Sequence, residues 1–90
     1  MPLKYKWECL TEACPEQYDV WDGDKLVGYV RVRGSLCRAF APDVCGECIY
    51  EQAIGDSGWD GCFETEGQRK YHLTLIELAI RNWIKENEQH

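Results

Sequence analysis

A change of period constrains this chain more than any other feature. From Leu3 to Ala53, apolar and polar residues alternate in short runs, and most runs stop at glycine or proline; from Thr65 onward the apolar residues recur every three or four positions. Period two belongs to half-buried strands, and the wider spacing belongs to an amphipathic helix. "LKYKWEC" opens as a strand, with Leu3, Tyr5, Trp7 and Cys9 on one side. Pro15 and Pro42 break the pattern, because proline brings no N–H to a ladder. "DGD" at 22–24 and "RG" at 33–34 read as hairpin turns, where glycine supplies a positive φ. These signals predict strands near 3–9, 17–21, 25–33, 35–41 and 48–53, then a helix over 66–86 and a frayed tail at 87–90. Thr65 and Gln68 have the spacing of a capping box at the helix start.

The expected fold is therefore α+β: one domain over residues 1–90, with a five-stranded antiparallel meander packed against a single C-terminal helix. Alternation puts Leu26, Val30 and Val32 on one face of the third strand, and Val27, Tyr29, Arg31 and Arg33 on the other. Trp7, Val30, Val32, Phe40, Ile76, Ile80 and Trp83 are expected to form the core between sheet and helix. A short strand is also expected near Trp59–Phe63, inside the glycine-rich stretch "IGDSGWDGCFE".

Charge narrows the classes of function. The net charge is −6, and it comes in blocks. Six acids and no base lie between Trp7 and Asp24, and seven acids and no base between Ala39 and Gln68. Arg31, Arg33 and Arg38 fall between the blocks. Such a balance disfavours direct nucleic-acid binding and favours a basic protein partner. No apolar run reaches the roughly 18 to 20 residues that span a bilayer, and "MPLKYKWECL" does not read as a signal peptide. A cytoplasmic location with no membrane association is expected, and there cysteines stay reduced unless they bind metal or do redox work.

Six cysteines make metal and redox chemistry the alternatives to weigh. Cys9 and Cys14 are spaced C-x4-C, and Cys45 and Cys48 form "CGEC". Four thiolates at such spacings suit a structural zinc, which would make the chain a ribbon-like structural or nucleic-acid-binding module. The meander opposes this. Successive turns alternate between the two ends of the sheet, so the first and fourth turns lie apart. A thiol oxidoreductase needs its C-x-x-C at a helix N-terminus, whereas the residues after Cys48 read as a strand. The expectation is a tight turn with two reduced thiols, no cofactor and no enzymatic activity. "GDSG" at 55–58 matches the nucleophile segment of trypsin-like proteases over four residues only, and His72 and His90 are the sole histidines. "DSGWDG" starts like a calcium loop but has Gly58 and Gly67 where oxygen ligands belong. Arg31, Arg33 and Arg38 with Tyr29 form a basic, aromatic-bearing strand face; pairing with Asp19 or Glu51 is expected to absorb those charges.

The run "EQYDVWDGDKLVGYVRVRGSLCRAFAP", followed by "GECIYE" and "FETEGQRKYHL", resembles small phage, prophage and plasmid proteins over roughly residues 16–80. The resemblance implies a mobile-element setting, hence a host cytoplasm, and no particular activity. In that setting small acidic proteins often block host defence proteins, in the manner of anti-CRISPR and anti-restriction inhibitors. The expected function is thus a non-enzymatic inhibitor that meets a basic host protein, such as a nucleic-acid-binding effector, through an acidic surface. Asp43, Glu47, Asp56, Asp60, Glu64 and Glu66 are its expected charges, with Trp59 and Phe63 as aromatic anchors.

Overall fold

The computed structural model describes residues 4–11, 16–54, 63 and 65–87. Five strands, β1 (Lys6–Cys9), β2 (Gln17–Asp22), β3 (Lys25–Arg33), β4 (Leu36–Ala41) and β5 (Glu47–Ala53), form one antiparallel sheet in the order of the sequence. One helix, α1 (Glu66–Asn87), follows and covers a single face. The fold is the expected α+β meander. No helix among the described residues is long and apolar enough to cross a membrane.

The turns follow from the glycines. Asp22 pairs with Lys25 and Arg33 with Leu36, leaving two-residue loops whose first residues, Gly23 and Gly34, have φ of 63° and 60°. That sign at the first loop position matches the right-handed twist of the flanking strands. Thr65 Oγ1 accepts the Gln68 N–H at 3.0 Å and caps the helix, while Gln68 Nε2 donates to the Ile54 carbonyl at 3.0 Å and ties the cap to the end of β5. The helix thus starts at the end where β5 finishes. At its far end Trp83 Nε1 donates to Glu47, the first residue of β5, at 2.9 Å.

The core lies between the sheet and α1. Val20, Val30, Val32, Cys37, Ala39, Ile76 and Ile80 are fully buried there, and Trp7 packs against them. Three expectations about the core need correction. Phe40 pairs with Tyr29, not with a core residue, so it points to the opposite face. Trp83 is half-buried outside the cluster, because its indole turns toward the Glu47 carboxylate. Val27 joins the core although it was expected to face away with Tyr29. The cause is an irregularity in the β2–β3 ladder. Val20 pairs with Gly28 and Trp21 with Leu26, so Val27 is an extra residue and the alternation slips there.

Two buried carboxylates tie the layers together. Glu16 accepts the Tyr18 hydroxyl at 2.5 Å, the Phe63 N–H at 2.9 Å, and Arg69 Nε and Nη2 at 2.8 and 3.1 Å. Arg69 also pairs with Glu66. Glu77, buried on the core side of α1, accepts the N–H groups of Lys4 and Tyr5 at 2.9 Å each and lies 3.4 Å from Trp7 Nε1. Each carboxylate satisfies backbone donors that no strand partner reaches, which is what burying such groups requires.

Candidate functional site

Of the residues expected to form one acidic surface, those that the structure describes, Asp43, Glu47, Phe63 and Glu66, do not come together. Asp56, Trp59, Asp60 and Glu64 lie outside the described residues, as does most of the Trp59–Phe63 segment. Phe63 is in the core at 6% exposure, stacked on His72 with ring centroids 5.5 Å apart, so it is not a surface anchor. Asp43 and Glu47 sit at the β4–β5 turn. Glu66 sits at the helix start, at the opposite end of the sheet, and is paired with Arg69.

The cysteines separate in the same way. Cys9 ends β1, near the β1–β2 connection, whereas Cys45 and Cys48 flank the start of β5. Strands of six to nine residues, at about 3.3 Å each, hold those ends roughly 20 Å apart or more. Zn–S bonds of about 2.3 Å cannot bridge that distance, so Cys9 cannot share one ion with Cys45 and Cys48. Cys14 lies outside the described residues, and no group of three or more potential ligands occurs among those described. Cys9, Cys37, Cys45 and Cys48 are all free thiols. Burial raises the Cys37 pKa to about 12, so that thiol stays protonated.

"CGEC" is a turn built around its glycine. Asp43 closes it twice, through Oδ1 to the Cys45 N–H and through its carbonyl to the Gly46 N–H, both at 2.9 Å. Gly46 lies so close to the Ala41 carbonyl that a side chain would overlap it. Cys45 and Cys48 are exposed, and the Cys48 thiol donates to the Tyr50 carbonyl at 3.6 Å.

His72 is held as a neutral structural group. It is buried, hydrogen-bonded through Nδ1 to the Tyr50 hydroxyl at 2.7 Å, and enclosed by Phe63, Tyr50 and Tyr71. Burial lowers its pKa below the ordinary imidazole value and raises that of Tyr50 to about 12. The unfolded chain takes up a proton that the folded chain refuses, so stability rises with pH between the lowered value and about 6.5. The melting temperature should therefore drop as pH falls from about 7 to about 5. His72→Phe should flatten that part of the profile, and an unchanged slope would assign the dependence to other groups.

The face of the sheet opposite α1 is where charge and shape converge. No described element covers it. Tyr29, Arg31, Arg33, Leu36, Arg38, Phe40 and Val44 line a groove of about 380 Å³ there. The ladder forces this grouping. Arg31 is the direct cross-strand partner of Arg38, Tyr29 of Phe40, and Arg33 of Leu36. Like charges placed directly opposite destabilise a sheet, and the fold relieves only one of them. Arg38 Nε donates to Glu51 at 3.0 Å, as expected. Arg31 and Arg33 form no ion pair among the described residues, and the direct partner of Arg31 on β2 is the neutral Gln17. Asp19 faces Glu8 across the β1–β2 ladder, and burial followed by the Glu8 charge raises its pKa. The open face thus carries acids on β1 and β2 and arginines on β3 and β4.

The periodicity already placed Arg31, Arg33 and Tyr29 on one face. The opposition of Arg31 to Arg38 was not visible, because register is a property of the ladder. No family model, curated protein or solved structure matches the chain, so its function is argued from this groove.

Proposed function

We propose that this protein is a non-catalytic recognition module whose uncovered sheet face captures an acidic segment of a partner protein. One observation carries the proposal: Arg31 and Arg33 form no ion pair among the described residues and line one groove with Leu36, Phe40 and Val44. Guanidinium groups bind carboxylates through paired hydrogen bonds, and the apolar floor suits hydrophobic residues among them. The reading reverses the partner charge expected from the sequence, because the strand ladder sets Arg31 opposite Arg38 and the neutral Gln17, and only Arg38 is matched by an acid, Glu51. A nucleic acid fits less well. The Tyr29 ring is only 7% exposed and its hydroxyl is engaged by Gln17 at 2.8 Å, so it offers no free stacking platform.

The test uses a labelled peptide of alternating Glu and Leu, with a Lys and Leu peptide and an oligothymidylate as comparisons. The acidic peptide should bind, weaken as salt rises, and lose at least about tenfold in affinity with Arg31→Ala and again with Arg33→Ala. Binding of the oligothymidylate alone, or acidic-peptide binding indifferent to both substitutions, overturns the proposal.

A further inference from the structure

β3 fixes the spacing of its guanidinium groups. Val30 and Val32 are fully buried in the core, so Tyr29, Arg31 and Arg33 leave the strand on the uncovered face. Each is two residues from the next, or about 6.6 Å along the strand. The groove follows this line from Tyr29 to Arg33, a length of roughly 13 Å. Its volume of about 380 Å³ over that length leaves a cross-section of about 30 Å². A single extended chain fits such a channel, whereas a helix about 10 to 12 Å across does not enter it.

The neighbouring strands grade the groove along its length. At one end Tyr29 pairs with Asp19 on β2 and with Phe40 on β4, and Asp19 itself pairs with Glu8. A carboxylate is repelled there, while Phe40 and Val44 offer apolar surface. In the middle, Arg31 lies between the neutral Gln17 and Arg38, whose Nε holds Glu51. At the other end Arg33 pairs with Leu36.

We infer that the acidic segment binds in extended form along β3, with carboxylates at two alternate positions on Arg31 and Arg33 and an apolar residue at the next alternate position over Phe40 and Val44. This rests on the reading that the groove takes an acidic segment, and it adds what the groove measures. Alternate residues of an extended chain leave on one side, spaced as the two arginines are. Two carboxylates therefore meet two guanidinium groups without bending the segment. Adjacent acids point to opposite sides, and acids four apart overshoot one arginine. The recognised feature is a spacing rather than a total charge.

Three end-blocked peptides of one composition, each labelled for fluorescence anisotropy, provide the test: Leu-Ser-Glu-Ser-Glu-Ser-Leu, Leu-Ser-Ser-Glu-Glu-Ser-Leu and Leu-Glu-Ser-Ser-Ser-Glu-Leu. The first places its acids at alternate positions and reads the same in either chain direction. It should bind about tenfold or more tighter than the other two, the worth of one further hydrogen-bonded charge pair. Arg31→Ala or Arg33→Ala should erase that preference, because a single guanidinium group holds one carboxylate whatever the spacing. Both variants should keep the circular dichroism of the parent. Equal, arginine-dependent binding of all three peptides overturns the inference and leaves the acidic-partner reading standing. Tightest binding of the third peptide overturns it in favour of a helical ligand, and a preference for the first that survives both substitutions also overturns it. Binding of none of the three overturns both readings.

Discussion

Replacing Glu16 with alanine should cost about 3 kcal/mol, the lower end of what breaking a buried ion pair costs, because Arg69 is partly exposed and regains water. Four donors lose their acceptor at once: the Tyr18 hydroxyl, the Phe63 N–H and two nitrogens of Arg69. A domain of this size has about 5 to 15 kcal/mol in all, so the midpoint of urea unfolding should move far down. Burial pushes the Glu16 pKa up, but hydrogen bonds from Arg69, Tyr18 and Phe63 outweigh it and the net shift is downward. The stabilisation is therefore complete above the ordinary carboxylate value of 4.5 and is lost as pH falls through the lowered one. Glu16→Ala should remove that acid-sensitive part of the stability profile. A loss below about 1 kcal/mol would mean that water replaces the carboxylate without difficulty.

Gly46→Ala should be as damaging, and the neighbouring cysteines should not be. A methyl group on Gly46 would overlap the Ala41 carbonyl and come within 2.8 Å of Pro42 N. Those are backbone atoms, so no rotamer change relieves the clash, and the turn must open. We expect a loss of about 3 kcal/mol, at or above the upper end of the overpacking range. Cys45→Ser and Cys48→Ser, both at exposed positions, should stay within about 0.5 kcal/mol of the parent. Melting curves of the three variants test this directly. A destabilised double serine variant beside a tolerated Gly46→Ala would return the motif to its sulfurs.

Local chemistry explains which parts of the fold were legible. Hairpins at Gly23 and Gly34, the Thr65 cap and the stripe from Leu73 to Ile80 depend on residues adjacent in the chain, and the expected elements match those observed within one or two residues, apart from the start of β1. Val27 was misplaced because an extra residue in one strand leaves no composition signal, whereas Phe40 follows the plain alternation of Leu36 and Arg38, which already set it on the face opposite the core. Phe63 was misread because a phenylalanine in a glycine-rich acidic run resembles a surface aromatic until its partner His72 is known. Glu77 did leave a signal: an acid next to Ile76 on the buried stripe of α1 requires donors from elsewhere. The arginine groove was visible as a strand face and obscured as a site, since nothing local told which acids would reach it.

The Glu77 anchor bears on how the chain is made. Lys4 and Tyr5 are held by a side chain 72 or more positions later. During synthesis the first strand can pair with β2 as soon as both have left the ribosome, but its leading backbone groups have no acceptor until α1 has emerged and docked. The segment that leads into β1 is thus among the last parts of the sheet to be secured. Completion of the fold waits on a contact 72 or more positions apart, the long-range class of contact that slows folding most. Until then the nascent sheet shows an unfinished edge to its surroundings.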